Sequence, residues 1–300
     1  MTALDKIEEL RTLVLVVEAG SLSAAARSLR VSPNAVSRRV MRLESQLGVK
    51  LFHRSTRALS VTHEGLLLYT RARRAILELD AAHDEIRDSK GALSGQVRVA
   101  IPGGASSPLV LERLAQLLDA NPLLQLQLSL ANEPVDPRAQ PFDIVVRVGP
   151  VADSRLVARR LAVSSWALAA TPSYLARAAP VRVPHDLRHH RCLRYASQQP
   201  QDHWPLVNKS GHVIKVPVGG GFEADDTRIL GDACYAGLGI GVRPLAELQL
   251  AEREGRLAHV LPEWRFAALE VHALLPQGSL RVPRVAAVLA VLQEAFARLA

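Results

Sequence analysis

SAAARSLRVSPNAVSRRVMRLESQLGVKLFHRSTRALSVT, residues 23–62, holds eight lysines and arginines (Arg27, Arg30, Arg38, Arg39, Arg42, Lys50, Arg54, Arg57) against one acid, Glu44. This short segment therefore carries +7 of a formal net charge of +8 for a 300-residue chain. Cationic charge packed into one compact segment is an electrostatic footprint for a phosphate backbone, whereas the same charge spread evenly would mark only a soluble protein.

The apolar positions decide what those charges mean. Ala24, Ala25, Ala26 and Leu29 form a short helix capped by Ser21 or Ser23, and Arg30 with Val31 turns the chain. Ser32 followed by Pro33 is an N-cap with proline at the first helical position. Val36, Val40, Leu43 and Leu47 then recur at four, three and four, one buried stripe of a 3.6-residue period. Asn34, Arg38, Met41 and Ser45 face the other way, with Arg42 beside them. Such a face suits a helix lying in a major groove, because Arg takes guanine bidentately and Asn does the same for adenine. An isolated charged helix face is usually only solvated; here turn, cap and charge agree on nucleic acid.

With the helix before it, the segment reads ELRTLVLVVEAGSLSAAARSLRVSPNAVSRRVMRLESQLGVKLFHRSTRALSVTHEG over residues 9–65. Through AAxxL, VSxxxVSRRV, LExxLG, LFxR and TxxG it resembles the winged helix-turn-helix of LysR-type transcriptional regulators. The resemblance implies that residues 51–62 form the wing, with Arg54 and Arg57 on minor-groove or backbone phosphates. It also implies that Ser32, Asn34, Ala35, Ser37, Arg38 and Arg42 face DNA, although the helical periodicity puts Ala35 and Ser37 at the flank. The implied partners are double-stranded DNA at a promoter inverted repeat, a small-molecule effector, RNA polymerase, and further copies of the chain as a homodimer or homotetramer.

Thr62 caps a helix expected to run to about Lys90, where Leu68, Ala72, Ala75, Leu79, Ala82 and Ile86 repeat at a period of 3.5, a coiled-coil seam for dimerisation. The outward positions carry six acids (Glu64, Glu78, Asp80, Asp84, Glu85, Asp88) and five bases (Arg71, Arg73, Arg74, Arg87, Lys90). In the resembled family this is the linker helix, paired antiparallel. The alternative is that the seam packs on its own domain.

SKGALSG (89–95) is a hinge. Beyond it VRVAI, a helix near 108–120, LQLQLSL and FDIVVRVG interleave as in a parallel α/β sheet. WALAAT, a helix from Pro172, a turn-rich stretch from Arg182 to Lys215, VIKVPV, a helix from about Thr227 to Tyr235, GIGV and a last helix over 282–300 follow. The chain crosses near Leu161 and again near Phe266, so two lobes with a cleft are expected. RVG, DSRLVARRL, ATPSYLA, AGLGIG and GRLAHVLPEW extend the resemblance, more loosely, to the effector domain of the same family, itself built like type 2 periplasmic binding proteins. The expected fold is mixed: an all-α winged helix-turn-helix domain (1–62), a linker helix (63–91) and a two-lobed α/β domain (92–300), lobe 1 being about 92–161 and 267–300, lobe 2 about 162–266.

In the cleft, PGGASS with Pro102, Gly103, Gly104, Ser106 and Ser107, and DDT with Asp225 and Thr227, stand where strands end and helices start, supplying N–H groups and hydroxyls suited to a carboxylate. Arg147 near the exit of its strand adds charge there, or equally pairs with Asp153 or another acid. By resemblance, Pro102 and Gly104 occupy positions where many family members bring hydroxyls, and Asp225 stands where Asn is frequent. A small polar metabolite is the expected effector.

The remaining features argue against enzyme chemistry. GLGIG (237–241) follows a helix, so it reads as a helix C-cap and not a dinucleotide loop. His185, His189 and His190 lack a further ligand at metal spacing, and no GxSxG, Walker loop or HExxH occurs. Cys192 and Cys234, 42 positions apart, read as buried thiols. No cofactor and no metal are expected. With 48% hydrophobic and 22% charged residues, no leader-like start and no bilayer-length apolar run, the chain is expected to be soluble and cytoplasmic. The competing class is an enzyme or solute-binding protein whose basic N-terminus is an appendage.

Overall fold

A computed structural model describes residues 3–54, 59–87, 93–105, 107–131, 135, 142–151, 156–196 and 202–298. At the N-terminus α1 (Ala3–Ala19) leads to Ser21, whose hydroxyl accepts the Ala24 N–H at 3.1 Å and starts α2 (Leu22–Leu29). Arg30, at φ 54°, ends α2, and Ser32 caps α3 (Pro33–Leu47) by accepting the Ala35 N–H at 3.2 Å. Leu13 and Val16 of α1 meet Ala25, Ala26, Val36, Val40 and Leu43 in one core. Leu47 does not belong to that stripe: it is the last helical residue and is 47% exposed.

The wing is a hairpin of β1 (Phe52–Arg54) and β2 (Leu59–Val61), so the unit is helical except for these two strands. Its closure is specified in detail. The Thr62 hydroxyl donates to the Lys50 carbonyl at 2.8 Å and accepts the Gly65 N–H at 3.0 Å, joining the wing to α4 (His63–Arg87). A methyl on Gly65 would run into the Leu51 carbonyl and lie 2.7 Å from Val61, which gives TxxG its physical reason. The single acid of the basic segment is buried beneath this closure. Burial raises the Glu44 pKa, but the N–H groups of Leu51 (2.9 Å) and Phe52 (3.4 Å) and the Lys50 ammonium (3.0 Å) outweigh it and hold the carboxyl below its ordinary value.

After α4 the chain builds β3 (Ser94–Ile101), a 3₁₀ turn (Gly103–Ala105), α5 (Pro108–Ala120), β4 (Leu123–Leu130), β5 (Ile144–Val148) and β6 (Val157–Ser164). It crosses into a second lobe with β7 (Trp166–Ala170), α6 (Pro172–Arg177), β8 (Arg194–Tyr195), β9 (His203–Asn208), β10 (Val213–Pro217) and β11 (Glu223–Ala224). That lobe finishes with α7 (Thr227–Tyr235), β12 (Gly241–Pro244), α8 (Leu245–Arg253), β13 (Ala258–Val260) and β14 (Trp264–Arg265). The chain then returns through β15 (Leu269–Leu275) and α9 (Pro283–Ala297).

The first lobe's sheet has the order β4-β3-β5-β15-β6. β3 pairs parallel with β4 and β5, while β15 is antiparallel to both β5 and β6, so the sheet is mixed and not purely parallel. The returning strand causes this, and LEVHALL is too short an apolar run to announce its partners. The stretch read as turns after Arg182 contains β8 and β9; β9 alternates exposed and buried residues and pairs with β10. At the end of α7, Gly237 (φ 72°) gives its N–H to Cys234 O, so GLGIG is a helix C-cap. Cys192 and Cys234 are buried and unbridged.

Candidate functional site

The exposed face of α3 is one site. Ser32, Asn34, Arg38 and Arg42 are exposed, whereas Ala35 and Ser37 are half-buried at the flank. No acid among the described residues pairs with Arg38. Arg39 instead turns inward to Glu8 (2.9 Å), and Arg42 reaches Glu9 of α1 at 3.7 Å. Arg38, at the centre of the face, is therefore the arginine of α3 most available to a base edge among the described residues. Arg57 lies outside the described residues, as does the side chain of Arg54.

On α4 the structure divides the seam. Leu68 and Ala72 pack within the chain, Leu68 against the helix-turn-helix core and Ala72 beside Tyr69 and Val14. A 3.5-residue period cannot tell an intramolecular neighbour from a second copy, and α1 lies close enough to fill this part of the groove. Ala75 is exposed and Leu79 is 40% exposed. The side chains of Ala82 and Ile86 lie outside the described residues.

Arg73 is not an outward base. Its guanidinium, 9% exposed, sits 3.0 Å from Asp143, 3.0 Å from the Phe142 carbonyl and 3.5 Å from Glu18. Asp143 also accepts the Arg98 backbone N–H at 2.8 Å, and the Arg98 side chain bonds Glu18. Two acids and two bases from α1, α4 and the first lobe thus meet in one nearly closed cluster. Periodicity on α4 gave no sign of this, because the partners lie about 70 residues ahead and 55 behind in sequence.

Between the lobes lies a cavity of about 840 Å3. Pro102, Gly104, Arg147 and Thr227 line it. Gly103 does not: an added Cβ there would lie 2.7 Å from both carboxylate oxygens of Asp226, and one on Gly104 would strike the Thr227 hydroxyl. The two glycines therefore let the 3₁₀ turn of one lobe press on the start of α7 in the other. Ser107 spends its hydroxyl on the Val110 N–H as the cap of α5 (3.3 Å), and Ser106 lies outside the described residues.

Asp225 is exposed and away from the cavity, and Asp226 is the buried acid that caps α7, taking the Arg228 N–H at 2.7 Å. The rule that a helix starting at Thr227 wants an Asp just before it pointed to this residue. Its consequence is chemical: both helix starts that could have taken a ligand carboxylate already hold side-chain caps. Sequence reasoning also missed the aromatic walls, Trp166, Trp204, Tyr195 and Phe266, and the cation Lys215. Among the described residues no cluster of three or more His, Cys, Asp or Glu could hold a metal ion.

A description of bacterial regulatory helix-turn-helix proteins of the lysR family matches residues 7–66, and a LysR substrate binding domain description matches residues 90–297. The chain is 34% identical over 262 residues to the transcriptional regulator CrgA of Neisseria meningitidis, covering 85% of both chains. It is 31% identical over 293 residues to the transcriptional regulator PtxR of Pseudomonas aeruginosa, covering 97% of this chain and 93% of that one. The solved CrgA structure superposes with a TM-score of 0.60 at 30% identity, covering 96% and 98% of the two chains. ArgP of Mycobacterium tuberculosis, at 20% identity and a TM-score of 0.69 over 96% of each, shares the fold.

Proposed function

The chain belongs to the LysR family of transcriptional regulators, with a DNA-binding helix-turn-helix and an effector-binding domain, and on that premise we propose how its residues divide the work. The family is one of regulators and not of enzymes. The division into a DNA-binding unit over 1–62, a linker helix over 63–91 and an effector domain over 92–300 is part of this reading.

α3 enters the major groove with Arg38 and Asn34 toward base edges, Ser32 and Arg42 toward backbone, Ala35 and Ser37 at the margin, and the wing arginines Arg54 and Arg57 on phosphates. A second copy pairs along α4 through Ala75, Leu79, Ala82 and Ile86, so that two heads meet an inverted repeat. The small-molecule effector sits in the interlobe cavity beside Pro102, Gly104, Arg147 and Thr227 and changes how the heads are held. Homotetramer formation and a contact with RNA polymerase rest on the family alone. No helix among the described residues is long and apolar enough to cross a membrane, and a DNA-binding regulator is placed in the cytoplasm.

The observation that carries the reading is Arg38, exposed on an otherwise anchored helix with no acid paired to it among the described residues. The test is fluorescence anisotropy of the full chain on promoter fragments against random duplex. Log affinity should fall by about 0.9 per phosphate contact for each log unit of salt. Arg38→Ala should cost about 1–3 kcal/mol and relax preference at one base pair. Equal binding of promoter and random duplex at physiological salt overturns the reading.

A further inference from the structure

The walls of the interlobe cavity are apolar and aromatic: Trp166, Trp204 and Phe266 stand with Val145 and Val242 around the space. Trp204 and Phe266 meet edge to face, ring centroids 5.9 Å apart, forming one rigid side. A ligand that is polar over its whole surface would lose its water here without recovering hydrogen bonds.

The charged groups restrict the ligand further. Asp202 is committed to His203 at 2.8 Å, and Asp226 is committed to the start of α7. The cations are not committed. Arg147, from β5 of the first lobe, and Lys215, from β10 of the second, both line the cavity, and no acid among the described residues pairs with either. The capped starts of α5 and α7 offer no competing anion site.

We propose that the effector is an amphipathic organic acid, an aromatic or bulky apolar body carrying one carboxylate, whose acid is held by Arg147 of one lobe and Lys215 of the other. This rests on the cleft being the effector site and names the class of ligand it takes. A carboxylate between two cations from opposite lobes stabilises the closed arrangement over an open one, because only the closed arrangement satisfies both, and a ligand shifts a conformational equilibrium only through such a difference.

The test uses full-length protein, tryptophan fluorescence and calorimetry, with benzoate, naphthoate, benzamide and acetate as probes. The two aromatic acids are expected to bind at least about tenfold more tightly than benzamide, because the carboxylate brings a negative charge to the two cations where the amide brings only a neutral acceptor, and acetate is expected not to bind. Arg147→Gln and Lys215→Gln should each erode that advantage, weakening the two aromatic acids several-fold more than benzamide. Benzamide binding as tightly as benzoate, or aromatic acids failing to bind at millimolar concentration, overturns the class of ligand. Val242→Trp fills the cavity and separates the two readings: aromatic acids that still bind this variant with parental affinity lie elsewhere, and the cleft itself is then not the site.

Discussion

Replacing Arg73 by Met leaves Glu18 and Asp143 facing each other across a nearly closed cluster, with Arg98 the one cation still paired there among the described residues. Exposed ion pairs contribute little, with a median near 0–1 kcal/mol. Here the side chains are 9%, 10% and 12% exposed for Arg73, Glu18 and Asp143, so the buried case applies, where removing one partner costs about 3–5 kcal/mol. Arg98 continues to satisfy Glu18, which places the expected loss at the lower end, about 3 kcal/mol. For a body of 150–250 residues each kcal/mol moves Tm by about 2–4 °C, giving a drop of roughly 6–12 °C by calorimetry. Arg73→Met with Asp143→Asn is the control. Asparagine keeps an acceptor for the Arg98 N–H (2.8 Å) but removes the unpaired charge, so the double variant should recover more than half of the loss. Hydrogen exchange at the end of α1 should rise in the single variant and fall back in the double one. A single variant that melts with the parent, or a double variant no more stable than the single, would refute the idea that this cluster fastens the DNA-binding head to the effector domain.

Three further outcomes follow from other parts of the molecule. Gly65→Ala should cost about 1–3 kcal/mol by overpacking against Leu51 and Val61, and should weaken binding to all duplexes alike by moving the wing; unchanged melting would mean the wing closure yields without strain. Leu79→Asp, at a position 40% exposed in the single chain, should leave the fold intact and halve the sedimenting mass, and an unchanged mass would place the dimer contact elsewhere. Burial holds His190 and His259 of the second lobe below the ordinary imidazole value of 6.5. The unfolded chain therefore takes up these protons first, so their contribution is complete above about pH 6.5 and is lost as pH falls below it. Tm should fall as pH drops below about 6.5, less steeply in His259→Gln, and a flat profile counts against the buried histidines.

What the residues decided locally, they decided by themselves. Ser32-Pro33 starts α3, Ser107-Pro108 starts α5, and Thr171-Pro172 starts α6, because the hydroxyl takes the N–H three residues on and the proline sets the first helical φ, both within one turn. The stripe Val36, Val40, Leu43 put Arg38 on the outside through the 3.6-residue period alone, and the family followed from the same stretch. Tertiary structure decided everything that depends on partners distant in sequence. It sent Leu68 and Ala72 to α1 and left Leu79 open, took Arg73 off the surface into a cluster with Glu18 and Asp143, and made the sheet mixed by bringing β15 back between β5 and β6. It also turned the cleft from polar to aromatic. Asp226 and Ser107 spent their polar groups on their own helices, while Trp166, Trp204 and Phe266, scattered over a hundred residues, came to line one space. Periodicity reports which face of an element is buried; only packing says against what.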